Sequence, residues 1–340
     1  MKTIAIIGAG GWGTALSIAL ARNSETIRLW VYEPDICQSL CEKRINEPYL
    51  PGFFIPANVS PTTRLETAIN GADLVLMAVP SQHLRAVCRE MLPHVRREQI
   101  FLSATKGIEN QSLLRMSEVI GEVIGSHFES RLGSDFAPRL AALSGPTFAR
   151  EVAHGSPTAV VIASQEEALG ARLQKQFSTP NFRLYTNTDM IGVELGGAVK
   201  NVIAIAAGVC EGMGLGSNAI AAVITRGLSE MTRLACACGG RSETLAGLAG
   251  LGDLVLTCTG AMSRNRSAGV ELGRGRTLQE ILGSTRMAIE GIYTTAATVE
   301  LARRQKIEMP ITEQMYAMLY ENRPPKEVLR ELMERSLKPE

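Results

Sequence analysis

Short apolar runs alternate with helical spacings through the first half of the chain. Runs rich in β-branched residues predict strands over Thr3–Gly8, Ile27–Tyr32, Asp73–Val79, Gln99–Thr105, Leu140–Ser144, Thr158–Ala163 and Phe182–Tyr185. Between them, apolar positions at helical spacing predict helices over Trp12–Arg22, Asp35–Asn46, Gln82–Leu92, Leu113–Gly125 and Glu166–Gln176. Several strands, such as Leu74–Val79, are continuously apolar, which suits a mostly parallel sheet buried on both faces. This α/β alternation implies right-handed crossovers and a doubly wound sheet of Rossmann type. The stretch 46–63 carries Pro48, Pro51, Pro56 and Pro61, breaks the rhythm, and reads as a loop.

Beyond about Asp189 the pattern changes to Ala, Gly, Leu and Met at helical spacing. Helices are expected over Ala219–Cys238, Leu278–Leu282, Thr294–Gln305 and Ile311–Tyr320, with an amphipathic helix over Lys326–Leu337. Pro310 can open one of them, and Pro324-Pro325 separates the last two. The reading is a dinucleotide-type α/β domain over 1–188 followed by an all-α substrate and catalytic domain over 189–340.

One position breaks the apolar pattern. Lys200 stands within Leu195–Gly208, and its helical neighbours Gly196, Gly197, Ile203, Ala204 and Ala207 carry no charge. No partner on its own helix can hold the ammonium group. It either snorkels to water or sits in a cleft, where desolvation lowers its pKa and suits it to proton transfer.

Composition narrows the field. With 340 residues, 45% hydrophobic and 20% charged, the chain is long enough for two globular domains. A formal net charge of +1 gives no electrostatic case for nucleic-acid or anionic-membrane binding, so any anion site must be local. The seven cysteines form no C-x-x-C pair and the four histidines are scattered, which argues against a metal site. The apolar run Val202–Gly208 is too short to span a membrane, and the chain starts directly in a strand with no room for a signal peptide. A reducing, cytoplasmic setting is expected. Oligomeric state, a homodimer included, stays open.

The first strand runs into Gly8-Ala9-Gly10-Gly11-Trp12-Gly13 and then a helix, which is G-x-G-x-x-G in its required context. Gly8 makes the turn, Gly10 lets backbone approach a pyrophosphate, and Gly13 lets helix and strand pack closely. Glu33 follows Gly13 by twenty residues, the distance at which an acid meets the adenosine ribose. An acid there favours NAD, yet Arg28 and Lys43 are near in sequence, so NAD against NADP stays open. Three loops follow strand ends, where ligands of doubly wound sheets bind: Val79-Pro80-Ser81, Thr105-Lys106-Gly107 and Ser144-Gly145-Pro146-Thr147. Lys106 can meet a phosphate, Gly145 permits close approach, Pro146 suits a first helical turn and Thr147 offers a hydroxyl. Further on, Gly250-Leu-Gly252-Asp253 precedes Ser263-Arg264-Asn265-Arg266, where Arg264 could bind a phosphate with two parallel hydrogen bonds.

Taken together these motifs resemble the bacterial NAD(P)-dependent glycerol-3-phosphate dehydrogenases. The matching stretches are GAGGWGTAL, ATKGIE, SGPTFAREVAHGSPTA, ELGGAVKNVIAIAAG, ITRGLSEM, GLAGLGDLVLTCT, SRNR, IEG and MPITEQMY, in the family's order up to Tyr316. The resemblance implies NAD(P)H-dependent, reversible reduction of dihydroxyacetone phosphate to sn-glycerol 3-phosphate, feeding phospholipid synthesis, without metal. It implies Lys200 as the catalytic proton-transfer residue. Substrate contacts would fall on Lys106, Gly145, Thr147, Asp253, Ser263, Arg264 and Asn265. Cofactor contacts would fall on Gly11, Trp12, Tyr32, Lys106, Ala149, Arg264, Ala288 and Glu290, beside the loop glycines Gly8, Gly10 and Gly13. The sequence departs from the family at Gly11, where Ser is frequent, and at Tyr32, where Arg or His is frequent. The stretch 125–139 matches no family motif. Other hydroxyacid or ketopantoate-type reductases, and a non-catalytic dinucleotide sensor, are the competing readings. The paired cationic sites at Lys106 and Ser263-Arg264-Asn265 favour a phosphate monoester over a carboxylate.

Overall fold

A computed structural model describes residues 1–132, 136–334 and 336. Among the described residues ten strands form: β1 (Thr3–Ile7), β2 (Thr26–Trp30), β3 (Ile45–Asn46), β4 (Leu50–Phe54), β5 (Val59–Thr62), β6 (Leu74–Met77), β7 (Ile100–Ser103), β8 (Arg139–Ser144), β9 (Thr158–Ala163) and β10 (Phe182–Asn187). The helices beside them are α1 (Gly11–Ala21), α2 (Pro34–Glu42), α3 (Leu65–Ile69), α4 (Leu84–Met91), α5 (Met116–Leu132), α6 (Ala149–His154) and α7 (Glu167–Phe177).

Eight strands make one sheet in the order β10-β9-β8-β7-β6-β1-β2-β5. Six of them, β8 through β5, are mutually parallel, and β9 and β10 run the other way because β8 and β9 pair antiparallel. The chain leaves β1 toward β2 on one side and returns to β6 on the other. That reversal opens a crevice at the carboxyl ends of the strands. Alternate side chains of β1 serve the two faces: Ile4 and Ile6 pack with Leu16, Leu20, Leu169 and Leu173, while Ala5 and Ile7 pack with Ile69, Leu84, Met91 and Ile120. The continuously apolar strands are therefore buried on both faces, as their composition predicts.

The stretch 46–63 is not a loop. β3 and β4 form a small antiparallel hairpin, and β5 is the outer strand of the main sheet. Its prolines misled the reading: Pro61 pairs with Leu29 on an edge strand, where a missing N–H costs no ladder bond on the free side. The helix expected over Asp35–Asn46 stops at Glu42, and the one expected from Leu113 begins at Met116 and continues through Leu132, inside the stretch that matched no motif.

From Met190 onward the structure is helical: α8 (Met190–Gly212), α9 (Gly216–Ala237), α10 (Ser242–Leu245), a single π-helical turn (Leu248–Gly252), α11 (Asp253–Thr259), α12 (Arg264–Gly273), α13 (Leu278–Gly283), α14 (Glu290–Gln305), α15 (Pro310–Tyr320) and α16 (Pro325–Met333). The last expected helix thus ends at Met333, and Leu337 lies outside the described residues. Asp189 caps α8 by accepting from the Gly192 N–H at 2.8 Å. By length and composition α8 could cross a membrane, but its apolar window is buried in the protein, where it forms the central core helix.

α8 owes its place to glycine. Cβ atoms at Gly208 and Gly212 would lie 2.1 and 2.2 Å from the carbonyl oxygens of Arg266 and Val270 on α12. Cβ atoms at Gly269 and Gly273 would meet the carbonyls of Ile205 and Val209 at 2.1 and 2.5 Å. Two glycines four apart on each helix therefore bring the backbones into contact, which seats α12 along the C-terminal third of α8. Gly208→Val is expected to destabilise the protein by about 2–3 kcal/mol, since it overpacks a backbone contact that cannot yield. Urea unfolding measures this, and a loss under about 0.5 kcal/mol would contradict the packing account.

Candidate active site

The glycine loop follows β1 as expected. Gly8 has φ +112, and a Cβ there would press on the Ala78 carbonyl oxygen at 2.7 Å. A Cβ at Gly13 would overlap the Gly8 carbonyl at 1.8 Å, so helix and strand could not pack. Above Gly10 nothing lies within 4 Å, and no side chain caps the α1 N-terminus. The loop thus offers free amide donors and open space, which fits a dinucleotide pyrophosphate. Trp12 donates from Nε1 to the Ala104 carbonyl at 3.1 Å, tying the loop to the end of β7. Gly11 faces Ala149 and the Tyr49 carbonyl. Tyr32, by contrast, is 76% exposed at the rim. Glu33 accepts from the Tyr49 hydroxyl at 2.7 Å, and burial with this neighbouring carboxylate pushes the Tyr49 pKa up to about 12.

Lys200 does not snorkel. It is 5% exposed, and its Nζ donates to Asp253 Oδ1 at 2.5 Å and to Thr257 Oγ1 at 2.8 Å. Asp253 has no exposed surface. Its second oxygen accepts from Lys106 Nζ at 2.7 Å, and the same Nζ donates to the Gly145 carbonyl at 2.8 Å and Thr147 Oγ1 at 3.2 Å. One carboxylate therefore joins a lysine from the end of β7 to a lysine from α8. Desolvation lowers the Lys200 pKa to about 8; Asp253 opposes this and Lys106 reinforces it.

The glycines beside Lys200 do not leave room for a ligand, as their size suggests. A Cβ at Gly196 would sit 2.7 Å from the Ala249 carbonyl, and one at Gly197 would sit 2.4 Å from Ser144 Oγ. They let α8 press against the π-helical turn and the end of β8. Pro146 and Thr147 do not start a helix either, because α6 begins at Ala149. Gly145 has φ +130, a conformation that favours glycine.

Arg264 opens α12 and is solvent-accessible, yet surrounding protein lowers its pKa, with Glu290 opposing. A cation at the mouth of a crevice has this signature. Ser263 caps α12, accepting from the Arg266 N–H at 3.2 Å. Asn265 donates to Asn201 Oδ1 at 2.9 Å and accepts from the Gly291 N–H at 2.9 Å. Both side chains thus already serve the scaffold. Glu290 accepts from the Ser81 N–H at 3.0 Å and from Ser81 Oγ at 2.5 Å, clasping α14 to the loop after β6. Burial raises its pKa. Ala288 lies half-buried just before α14.

Thr257, Asn201 and Tyr49 carry no role in the sequence reading, and Ser81 figures there only as the end of a strand-end loop, without its partner. Thr257 had a signal, since it stands four residues after Asp253 and so shares its helix face. The other three had none, because their partners Asn265, Glu290 and Glu33 are distant in sequence or on another element. Asp253→Asn should lower the Lys200 pKa further below about 8, because Asp253 is the group that raises it. Titration of the lysine Nζ by heteronuclear NMR reads this, and a raised pKa would contradict the assignment of charges.

Models of the N-terminal and C-terminal domains of NAD-dependent glycerol-3-phosphate dehydrogenase match residues 3–170 and 189–330. The chain is 54% identical over 337 residues to glycerol-3-phosphate dehydrogenase (NAD(P)+) of Koribacter versatilis, covering 98% of each chain. It is 51% identical over 339 residues to the enzyme of that name from a Geobacter species, covering 100% of this chain and 99% of that one. The crystal structure of glycerol-3-phosphate dehydrogenase from Coxiella burnetii superposes with a TM-score of 0.92 at 42% identity, over 98% of this chain and 99% of the other.

Proposed function

This chain belongs to the NAD-dependent glycerol-3-phosphate dehydrogenase family, and from that membership and the geometry of its cleft we propose that it reduces dihydroxyacetone phosphate reversibly to sn-glycerol 3-phosphate with NADH or NADPH, supplying glycerophospholipid synthesis. The observation that carries this reading is the buried Lys200 ammonium, held by Asp253 and Thr257 with a pKa near 8. The glycine loop Gly8–Gly13, with Trp12 and Ala149 beside it, holds the cofactor; Tyr32, Lys106, Arg264, Ala288 and Glu290 complete its contacts. Reduced nicotinamide, when bound, supplies the hydride.

Lys200 handles the proton. As hydride reaches the ketone carbon, negative charge grows on the carbonyl oxygen, and the ammonium stabilises it and passes it a proton. Lys200 is left as the neutral amine and recovers its proton from solvent. Its depressed pKa makes that transfer easier than for an ordinary lysine. Lys106, Gly145, Thr147 and Asp253 orient the substrate, and Arg264 with Ser263 and Asn265 anchors the phosphate. Anchoring the remote phosphate spends binding energy on positioning the reacting carbon.

A boundary at 188/189 divides the chain into a dinucleotide domain and a helical catalytic domain; the change from β10 to α8 supports it. The protein acts in the cytoplasm without membrane insertion, in keeping with the burial of the apolar window of α8. It pairs as a homodimer, for which Leu251, Val255 and Met262, each 39–42% exposed, supply apolar surface.

Purified protein should oxidise NADH or NADPH only when dihydroxyacetone phosphate is present, followed at the absorbance of the reduced cofactor. Lys200→Met should lower kcat by about 10²–10⁴-fold while cofactor still binds. A near-normal kcat would remove Lys200 from the chemistry. Arg264→Ala should raise KM for the ketone about tenfold or more through loss of a charge-assisted contact, and an unchanged KM would end its phosphate role. The pH dependence follows from the sign of the Lys200 shift. Reduction needs the protonated lysine, so its kcat should be level below pH about 8 and fall tenfold per unit above. Oxidation of glycerol 3-phosphate needs the amine and should rise toward pH about 8. A reduction rate that stays level to pH 10 would contradict the assignment.

A further inference from the structure

The carbonyl of Ala9, inside the glycine loop, points into the protein. It accepts from Asn46 Nδ2 at 2.7 Å and from Thr14 Oγ1 at 3.3 Å. The same Asn46 amide nitrogen donates to Thr14 Oγ1 at 2.8 Å, so three groups close into one small network. Asn46 and Thr14 have no exposed surface. Asn46 stands on β3, paired with Leu50 in the hairpin whose Tyr49 carbonyl abuts Gly11.

A planar trans peptide sets its C=O and the next N–H in opposite directions. Holding the Ala9 carbonyl inward therefore turns the Gly10 N–H outward, into the space that is open above Gly10. We propose that Asn46 is a positioning residue of the cofactor site: it locks the Ala9–Gly10 peptide so that the Gly10 amide meets the pyrophosphate already oriented. Asn46 does this at a cost, because its Oδ1 is buried with no partner. A side chain kept only for packing would not leave an acceptor stranded. The amide is retained for its two donors.

The proposal rests on the reading of Gly8–Gly13 as the pyrophosphate loop, and the experiment separates the two. Binding of NADH and NADPH to the full-length protein is measured by titration calorimetry for wild type, Asn46→Ala, Asn46→Asp, Thr14→Val and Gly10→Val. Asn46→Ala should raise Kd about tenfold or more, the loss of one oriented contact to a charged group. Asn46→Asp, which keeps the shape but loses both donors, should be no better. Thr14→Val should weaken binding less. In turnover, KM for cofactor should rise far more than KM for dihydroxyacetone phosphate, and kcat at saturating cofactor should fall far less than affinity, a split that general loosening of the fold would not give. Folded Asn46→Ala with Kd within twofold of wild type would overturn the proposal. Should that variant not fold, Asn46→Ser and Thr14→Val carry the test, and unchanged Kd in both overturns it. Gly10→Val reports on the loop itself: its φ of −66 accepts any residue and its Cβ enters open space. Lost binding there with intact binding in Asn46→Ala sinks only the Asn46 role, whereas intact binding in Gly10→Val sinks the loop reading.

Discussion

A single carboxylate with no exposed surface, Asp253, is shared by two lysines that arrive from different parts of the fold. A charge buried alone is heavily penalised, and breaking a buried pair typically costs about 3–5 kcal/mol. Asp253 is tolerable because Lys106 and Lys200 both reach it, and the two ammonium groups are tolerable beside each other because Asp253 lies between them. The cluster carries one positive charge more than it neutralises. That surplus suits a site meant to receive a phosphorylated ketone and the negative charge that grows on its oxygen. Burial decides the competition at Lys200, so its pKa falls to about 8 despite the carboxylate.

The geometry of this cluster depends on backbones that lie unusually close. α8 meets α12 through Gly208, Gly212, Gly269 and Gly273, and meets the π-helical turn and β8 through Gly196 and Gly197. Side chains of any size at these points would push Lys200 away from Asp253 or Arg264 away from the cleft. The two halves of the chain are then tied by short polar contacts. Besides Lys106 with Asp253, Glu290 accepts from Ser81, and buried Glu194 on α8 accepts from the Ser117 N–H and hydroxyl at 2.8 and 2.6 Å. The cleft is closed at several points by hydrogen bonds that a one-ångström shift would lose.

Much of this was legible in the sequence, for reasons that can be named. Buried parallel strands leave continuous apolar runs, and the glycine loop leaves fixed spacings, so β1 and Gly8–Gly13 could be read directly. Lys200 stood out because nothing on its own helix could pair with it, and its true partner, Asp253, is tertiary. The prolines of 46–63 hid an edge strand and a hairpin, since an edge tolerates proline and a propensity argument does not know which strand is an edge. The glycines near Lys200 carry no local sign of what they face; that a carbonyl of Ala249 lies against one of them is a tertiary fact. Ser263 and Asn265 also serve the scaffold, capping α12 and bridging Asn201 to Gly291, and the Asn265 contacts are tertiary and so invisible to local sequence.

The central claim is that a buried lysine ammonium at position 200 delivers the proton. Chemical rescue tests it most directly: Lys200→Ala is assayed for ketone reduction with a series of small primary alkylamines of differing pKa. The account predicts that added amines restore turnover, that the ammonium form is the one that rescues, and that rescue varies with amine pKa as general acid catalysis requires. Cofactor and ketone bound at normal affinity, with no rescue by any amine that fits the vacated space, would contradict it.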